Sequence, residues 1–503
     1  MFSFYSFEFQ NLKNLKLEFT TNFNCYNFFP KLENLVVLDI SNSKANDIWL
    51  ESIGTFCIHL RYHYKASTYY FSNMQLNKVV INNFYRQLFI QNCSAVTDSG
   101  IEGLFMSSIV NPQKVNFCKS IQVLSILQTG VSKKGIQMAL LKCPALRVLN
   151  HSLLIDVLIE NAQTALLELQ EMPQYSLTLL TDFILSESLR KIGNLELAFG
   201  LCPLVTKVKI EFLTTIFTDV DLLCLKSLKK LREIKINCRT LFNQSYQNIT
   251  FHGGVGPLLI EIGNSLEILN LSFISGINIW FIAESCPNLC SLTLNGNVNY
   301  ITTERPSMNK KPIILKDLIH LCLFGAVSCT FPYRSNSLTF PHPIPREDLS
   351  LLLSSPLIVS LSICGCDTLT DKVLLNASKL HQFQNLNRLS IAYCNSFTST
   401  GLVSVFLKET NPLRKIFIKS FATEEKNRMT RELKSLVATE VKKNNFRLHY
   451  WFITNSHISD NSDLNSSMYC NQDRVIMIHD LQDDERSWCF ARTNISGQIY
   501  PFR

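Results

Sequence analysis

Apolar residues recur along this chain in a short fixed string: one, two positions skipped, a second, one skipped, a third. Ile358, Leu361 and Ile363 form it, Leu386, Leu389 and Ile391 repeat it, and Leu413, Ile416 and Ile418 begin it again. The central residues are 28 and then 27 apart, from Leu361 to Leu389 and from Leu389 to Ile416. The alternation at the end of each string predicts a short strand with one buried face, and the stretch that follows has helical spacing. Strand, polar corner and helix therefore form one unit. A unit this small cannot bury its own apolar face, so units must stack.

The same string can be followed upstream. It reads Leu12, Leu15, Leu17, then Leu35, Leu38, Ile40, then a looser Cys57, Leu60, Tyr62, and then Leu88 with Ile90. Ile121, Leu124, Ile126 and Leu146 with Leu149 continue it, and the register is obscure from 150 to 205, where Leu153–Leu169 reads as a longer amphipathic helix. Val205, Val208, Ile210 resume it, followed by Leu231, Ile234, Ile236, by Leu266, Leu269, Leu271, by Leu289, Leu292, Leu294 and by Leu318, Leu321, Leu323. Residues 1–421 are thus expected to hold about 13–15 irregular units. Insertions near 240–256, ending in a glycine cluster, and 328–347, with four prolines, are expected to be surface loops between units. Residues 422–454, with a helical pattern from Glu424 to Val441, are expected to cap the array. The polar tail 455–503 is expected to be partly disordered, with a strand-like run at Val475–Ile478.

The corners narrow the class. Cys366, Thr370, Asp371 and Cys394, Thr398, Ser399 stand at the same offsets after Leu361 and Leu389, and Tyr85–Ile101 repeats the pattern with Cys93, Thr97, Asp98 and Gly100. This string resembles the cysteine-containing leucine-rich repeat of F-box/LRR proteins. The resemblance implies an α/β leucine-rich-repeat solenoid, a right-handed curved horseshoe with short parallel strands on the concave face and helices on the convex face. It also implies a small inward-pointing side chain at the cysteine position. No F-box, a helical module of roughly 40 residues, is visible ahead of the repeats, nor is a polar capping unit. Either the chain is partial or that module is absent.

Composition bounds the setting. Of 503 residues 46% are hydrophobic and 17% charged, enough for a packed fold. Seventeen cysteines, an odd number, occur without a recognisable signal peptide or a membrane-length apolar run, so reduced thiols in the cytoplasm or nucleus are expected. The net charge of +8 is concentrated from Lys408 to Arg447, where 11 basic residues face 5 acidic ones. A solvated helix face explains that surplus as readily as an acidic partner does.

Catalytic motifs are missing. There is no G-x-S-x-G, P-loop or H-E-x-x-H, and Gly253–Gly256 lacks the Lys-[Ser/Thr] of a phosphate cradle. Cys364 with Cys366, and Cys286 with Cys290, could pair as metal ligands, but nothing nearby completes a four-ligand set. The expectation is no cofactor, no metal and no enzyme activity. Thr97-Asp98, Thr370-Asp371, Thr398-Ser399 and Thr218-Asp219 precede helical runs, and their side-chain oxygens are expected to cap the free N–H groups of the first turn.

Strand positions flanking the central apolar residue should face the concave surface. They give Lys207, Lys209, Glu211, Glu233, Lys235, Asn237, Thr293, Ser360, Ser362, Arg388, Ser390, Lys415 and Lys419 as candidate partner-binding residues. Their mixture of charge and hydroxyl suits a target protein; nucleic acid would call for a denser basic stripe with stacking aromatics. The reading is a non-catalytic recognition module. The family resemblance makes it a substrate receptor of an SCF-type ubiquitin ligase, joined to cullin-type ligase subunits if an F-box is supplied upstream. An LRR scaffold or inhibitor with one partner is the alternative.

Overall fold

Short strands form wherever the apolar string occurs, because its second and third members must leave water together on one side of an extended chain. The computed structural model describes residues 14–17, 29–32, 35, 37–57, 86–110, 121–181, 193–211, 217–238, 249–296, 300–301, 315–324, 344–392, 394, 396–406, 413, 415–419, 448–453 and 474–479. The chain divides into two compact units, Met1–Lys235 with Thr240–Asn248, and Ile236–Arg239 with Ile249–Arg503.

In the first unit the strands are β1 (Asn14–Lys16), β2 (Val37–Asp39), β3 (Arg86–Phe89), β4 (Ile121–Ser125), β5 (Val148–Asn150), β6 (Leu179–Leu180) and β7 (Lys207–Glu211). Each pairs in parallel with the next. Helices α1 (Asp47–Phe56), α2 (Asp98–Val110), α3 (Lys133–Lys142), α4 (Leu154–Leu167) and α5 (Asn194–Gly200) lie between them in the chain, and α6 (Asp219–Leu223) follows β7. Leu38, Leu88, Leu124 and Leu149 are wholly buried, one per unit. The expected helix at Leu153–Leu169 is α4, ending two residues earlier. β6 escaped the pattern because its third apolar position is Asp182. Its central Leu180 nonetheless pairs with Val208 and is buried.

β8 (Glu233–Asn237) lies at the division of the two units. The second unit continues with α7 (Gly256–Ile262), β9 (Ile268–Ser272), α8 (Ile279–Ser285), β10 (Ser291–Asn295), β11 (His320–Phe324), α9 (Arg346–Leu353), β12 (Ser360–Cys364), α10 (Asp371–His381), β13 (Arg388–Ala392), α11 (Ser399–Phe406) and β14 (Lys415–Lys419). From β9 to β14 every strand pairs in parallel with the next, five residues against five without a slip. Parallel neighbours require a crossover between them, and the repeat supplies it each time. Each unit is an α/β stack of leucine-rich-repeat type.

Two strands close the described chain. β15 (Leu448–Ile453) falls within the stretch 422–454 expected as a cap, and β16 (Arg474–His479) covers the strand-like run expected at Val475–Ile478. β14 pairs with β16 and β16 with β15, both in parallel. Leu12, Leu60, Tyr62, the helical pattern from Glu424 to Val441, most of 240–256 and most of 328–347 lie outside the described residues. The glycine cluster that ends the first insertion forms a π-helical turn, Phe251–Val255, leading into α7.

Six of the described corners use the same backbone device. The fourth residue after the central Leu has positive φ: Asn42 (60°), Asn92 (61°), Gln128 (56°), Phe273 (57°), Gly296 (61°) and Gly365 (64°). Asn and Gly tolerate this left-handed region best, which explains the sequence preference there. One residue later sits the cysteine position. Cys93 and Cys366 are buried, and the Cys93 thiol donates to the Ile40 carbonyl of the preceding repeat at 3.2 Å.

Helix starts tie consecutive repeats together. The Thr218 hydroxyl accepts from Asp221 N–H in a capping box, and Thr370 accepts from Val373 N–H. The carboxylates following the cap residues act differently from expectation. Asp98 and Asp371, expected to cap their own helices, accept instead from the next repeat: Asp98 from Ser132, and Asp371 from Thr398.

Candidate recognition face on the strands

Alternation sorts each strand into core residues and an opposite set. In β7, Val208 and Ile210 are buried core; in β8, Ile234 and Ile236 are. Lys207 is exposed, and Lys235 and Asn237 are half-buried. Lys209 and Glu233, expected on an open face, are only 7% and 6% exposed. The reason for Glu233 is local. Its Oε1 lies 2.7 Å from Lys235 Nζ and its Oε2 2.9 Å from Lys207 Nζ. The Lys207 approach lies outside hydrogen-bond geometry, which makes it an ionic contact. Burial pushes the Glu233 carboxyl upward, and the two ammonium groups outweigh it, so the net shift is below the usual carboxylate range. One carboxylate thus answers two ammonium groups, and the cluster keeps a net charge of about +1. The side chain of Glu211 is outside the described residues.

The second unit presents a different face. The register puts Ile268, Ser291, His320, Ser360, Arg388 and Lys415 in one row across β9–β14. Asn270, Thr293, Cys322, Ser362, Ser390 and Phe417 form the next, and Ser272, Asn295, Phe324, Cys364, Ala392 and Lys419 the third. Thr293, Ser360, Ser362, Arg388 and Ser390 are all half-buried, while Lys415 and Lys419 are placed by register alone. His320, Cys322 and Phe324 were missed as candidates, although the rule that selects Ser360 and Ser362 around Leu361 selects them around Leu321. Burial and the Arg388 guanidinium together hold His320 below its ordinary value, so its imidazole is neutral at pH 7.

The thiols read as packing groups. Burial pushes Cys57, Cys202 and Cys286 up to about 12 and raises Cys366, keeping each protonated and a poor nucleophile. Cys364 and Cys366 do not share a strand face, because β12 ends at Cys364 and Gly365 turns with φ 64°. Cys366 Sγ lies 3.2 Å from Thr368 Oγ1 instead. Among the described residues no group of three or more His, Cys, Asp and Glu is arranged to hold a metal, and no helix is long and apolar enough to cross a membrane.

No protein-family model matches the chain, and no curated protein matches it. Among solved structures it is similar to one described as the crystal structure of Rad7 and Elc1 complex in yeast, with 15% identity, a TM-score of 0.35 and coverage of 72% of this chain and 67% of that one. A likeness of that size bears on neither function nor partner.

Proposed function

We propose that this chain is a non-catalytic recognition module that holds one protein partner against its strand face. The observation that carries the reading is the unbroken register of β9–β14, which lays the half-buried Asn270, Thr293, Cys322, Ser362 and Ser390 in one continuous row. Five strand spacings of about 4.8 Å give a surface about 24 Å across, the scale of a peptide segment or a small domain edge. Free thiols throughout the described residues suit the cytoplasm or nucleus.

The finer reading makes the chain the substrate receptor of a cullin-type ubiquitin ligase. It is supported by the likeness of the Cys-x-x-[Leu/Phe/Val]-Thr-[Asp/Ser] corners to those of F-box/LRR proteins. The alternative, supported by the same face, is a scaffold or inhibitor with a single partner.

Photo-crosslinkers placed singly at Thr293, Ser362 and Ser390, with Lys372 on α10 as control, test the recognition reading in cells. Partner adducts from the strand positions and none from Lys372 are expected; the reverse pattern overturns it. Affinity purification tests the ligase reading. Cullin and the ligase's linker subunit must accompany the chain, and one stable partner without them leaves the scaffold.

A further inference from the structure

Charge is distributed unevenly along the strands. β7 and β8 read KVKIE and EIKIN, and Glu233 answers two of their lysines. β9 to β14 read ILNLS, SLTLN, HLCLF, SLSIC, RLSIA and KIFIK, with no aspartate or glutamate in any of them. Arg388 sits among the last four, in register with Ser360 on one side and Lys415 on the other. Arg388 is half-buried, and among the described residues no carboxylate or hydrogen-bond acceptor meets its guanidinium. Burial pulls its pKa down, yet an arginine keeps its charge in a protein.

A cation that has lost part of its water and has no counter-ion is poised for an incoming anion. Part of the desolvation cost is already met, and the planar fork fits a carboxylate through two parallel bonds. The surrounding donors are spread, not convergent. Ser360 adjoins Arg388 in its row, and Ser362 and Ser390 adjoin each other in the next. Such spacing suits an extended chain better than a small free anion. Strands about 4.8 Å apart place His320 and Arg388 about 10 Å apart, the reach of about three extended residues. Basic residues are too few for nucleic acid: Arg388, Lys415 and Lys419 are the only Lys or Arg in six strands.

We propose that the face over β11–β13 binds an extended acidic segment of a protein partner, with one Glu or Asp carboxylate forked by Arg388 and serine hydroxyls donating alongside. This deepens the recognition reading and rests on it.

The full chain is titrated into a fluorescein-labelled peptide of alternating Glu and Ser, about ten residues long, and into its Gln-for-Glu counterpart. The acidic peptide binds at least about tenfold tighter than the Gln peptide. Arg388→Gln abolishes that preference, Arg388→Lys restores part of it, and Lys372→Gln, at an exposed position on α10, leaves it intact. Circular dichroism and thermal melting confirm that each variant is folded. Equal binding of both peptides, an unchanged preference in Arg388→Gln, or displacement by oligo-dT more effectively than by acidic peptide overturns the proposal. If the crosslinks at Thr293, Ser362 and Ser390 persist in any of those cases, the strand face still recognises a protein and only the acidic chemistry has failed. If those crosslinks are missing as well, the recognition reading fails too.

Discussion

Asp371 and Thr398 stand 27 residues apart and join two repeats through one carboxylate. Asp371 Oδ1 accepts from the Thr398 backbone N–H at 2.9 Å, and Oδ2 accepts from its hydroxyl at 2.5 Å. Thr398 Oγ1 in turn accepts from Gly401 N–H at 3.3 Å in the first turn of α11. One hydroxyl therefore caps its own helix and hands its proton to the previous one. The first unit repeats this arrangement. Asp47 Oδ1 and Oδ2 take the Thr97 N–H and hydroxyl at 2.7 and 2.6 Å, and Asp98 takes those of Ser132 at 2.8 and 2.5 Å. At the next step the sign inverts: Lys133 occupies the first helical position of α3 and reaches Glu160 at 2.7 Å and Asp156 at 3.4 Å on α4.

The glycine three residues after the cap belongs to this device. A Cβ at Gly401 would run into the Asp371 carboxylate, and one at Gly100 into Asp47. Gly401→Ala is expected to cost about 1–3 kcal/mol, and Asp371→Ala about 1–2 kcal/mol through two lost charge-assisted bonds. The double variant should cost clearly less than the sum, since removing the carboxylate also removes the clash. Urea unfolding of the four proteins measures the coupling; strict additivity rejects the shared site.

How much of this could be read in advance depends on sequence distance. Leu361 and Leu389 declare themselves because three apolar letters at fixed spacing suffice for a buried strand. Cys93, Cys366, Cys394 and Gly100 are visible as motif positions for the same reason. Asp98 and Asp371 were placed on the wrong helix because a carboxylate next to an N-cap looks local, whereas its partner lies 34 or 27 residues on. Lys209 and Glu233 are expected on an open face because they flank the central apolar positions Val208 and Ile234. Their burial follows from neighbouring repeats, which a single repeat's letters do not contain. At the candidate face the rule that selects Ser360 and Ser362 around Leu361 also selects His320 and Cys322 around Leu321, where the charge-and-hydroxyl pattern gave no prompt.

Glu233 couples the fold to acid. Its folded pKa is depressed by Lys235 and Lys207 against the opposing effect of burial, so its contribution is present above the unfolded carboxylate value and is lost as pH falls through the folded one. Glu233→Gln should flatten the wild-type loss of stability below about pH 4.5. At pH 7 it should cost about 1–2 kcal/mol, discounted because the Lys207 side chain is 47% exposed and screened. Added salt should shrink that difference; a variant as stable as wild type at pH 7 and low salt would show the ion pairs to be idle.

Gly296 tests the corner geometry. Its φ is 61°, and a Cβ would strike the Phe273 ring of the preceding corner. Gly296→Ala is expected to lower stability by about 2–3 kcal/mol, combining left-handed strain with a steric clash. Asn92 holds the same conformation at φ 61° with a side chain already accommodated, its Nδ2 donating to Asn42 Oδ1 at 2.6 Å. Asn92→Gly should therefore cost only about 1 kcal/mol. Equal losses in the two unfolding midpoints would contradict the distinction.

Asp348 on α9 is the opposite case from Glu233. It is completely buried, and neither carboxylate oxygen has a hydrogen-bond partner. Burial, with a smaller push from Glu347, raises its pKa to about 6; the Trp280 indole pulls the other way but meets neither oxygen in hydrogen-bond geometry. The neutral acid is the form the fold accepts. Its contribution is complete below the unfolded value near 3.8, declines as pH rises and reaches its full loss above about 6. The loss is on the order of 2–3 kcal/mol. Asp348→Asn should remove that decline, and Asp348→Leu, which also removes the orphaned oxygens, should raise stability at pH 7 by about 2 kcal/mol. The readout is the difference between wild-type and variant urea midpoints from pH 4 to 7, which cancels every other titrating group. A constant difference across that range would mean that Asp348 stays ionised in the folded chain. A difference that grows toward pH 7 locates the penalty at this one carboxylate.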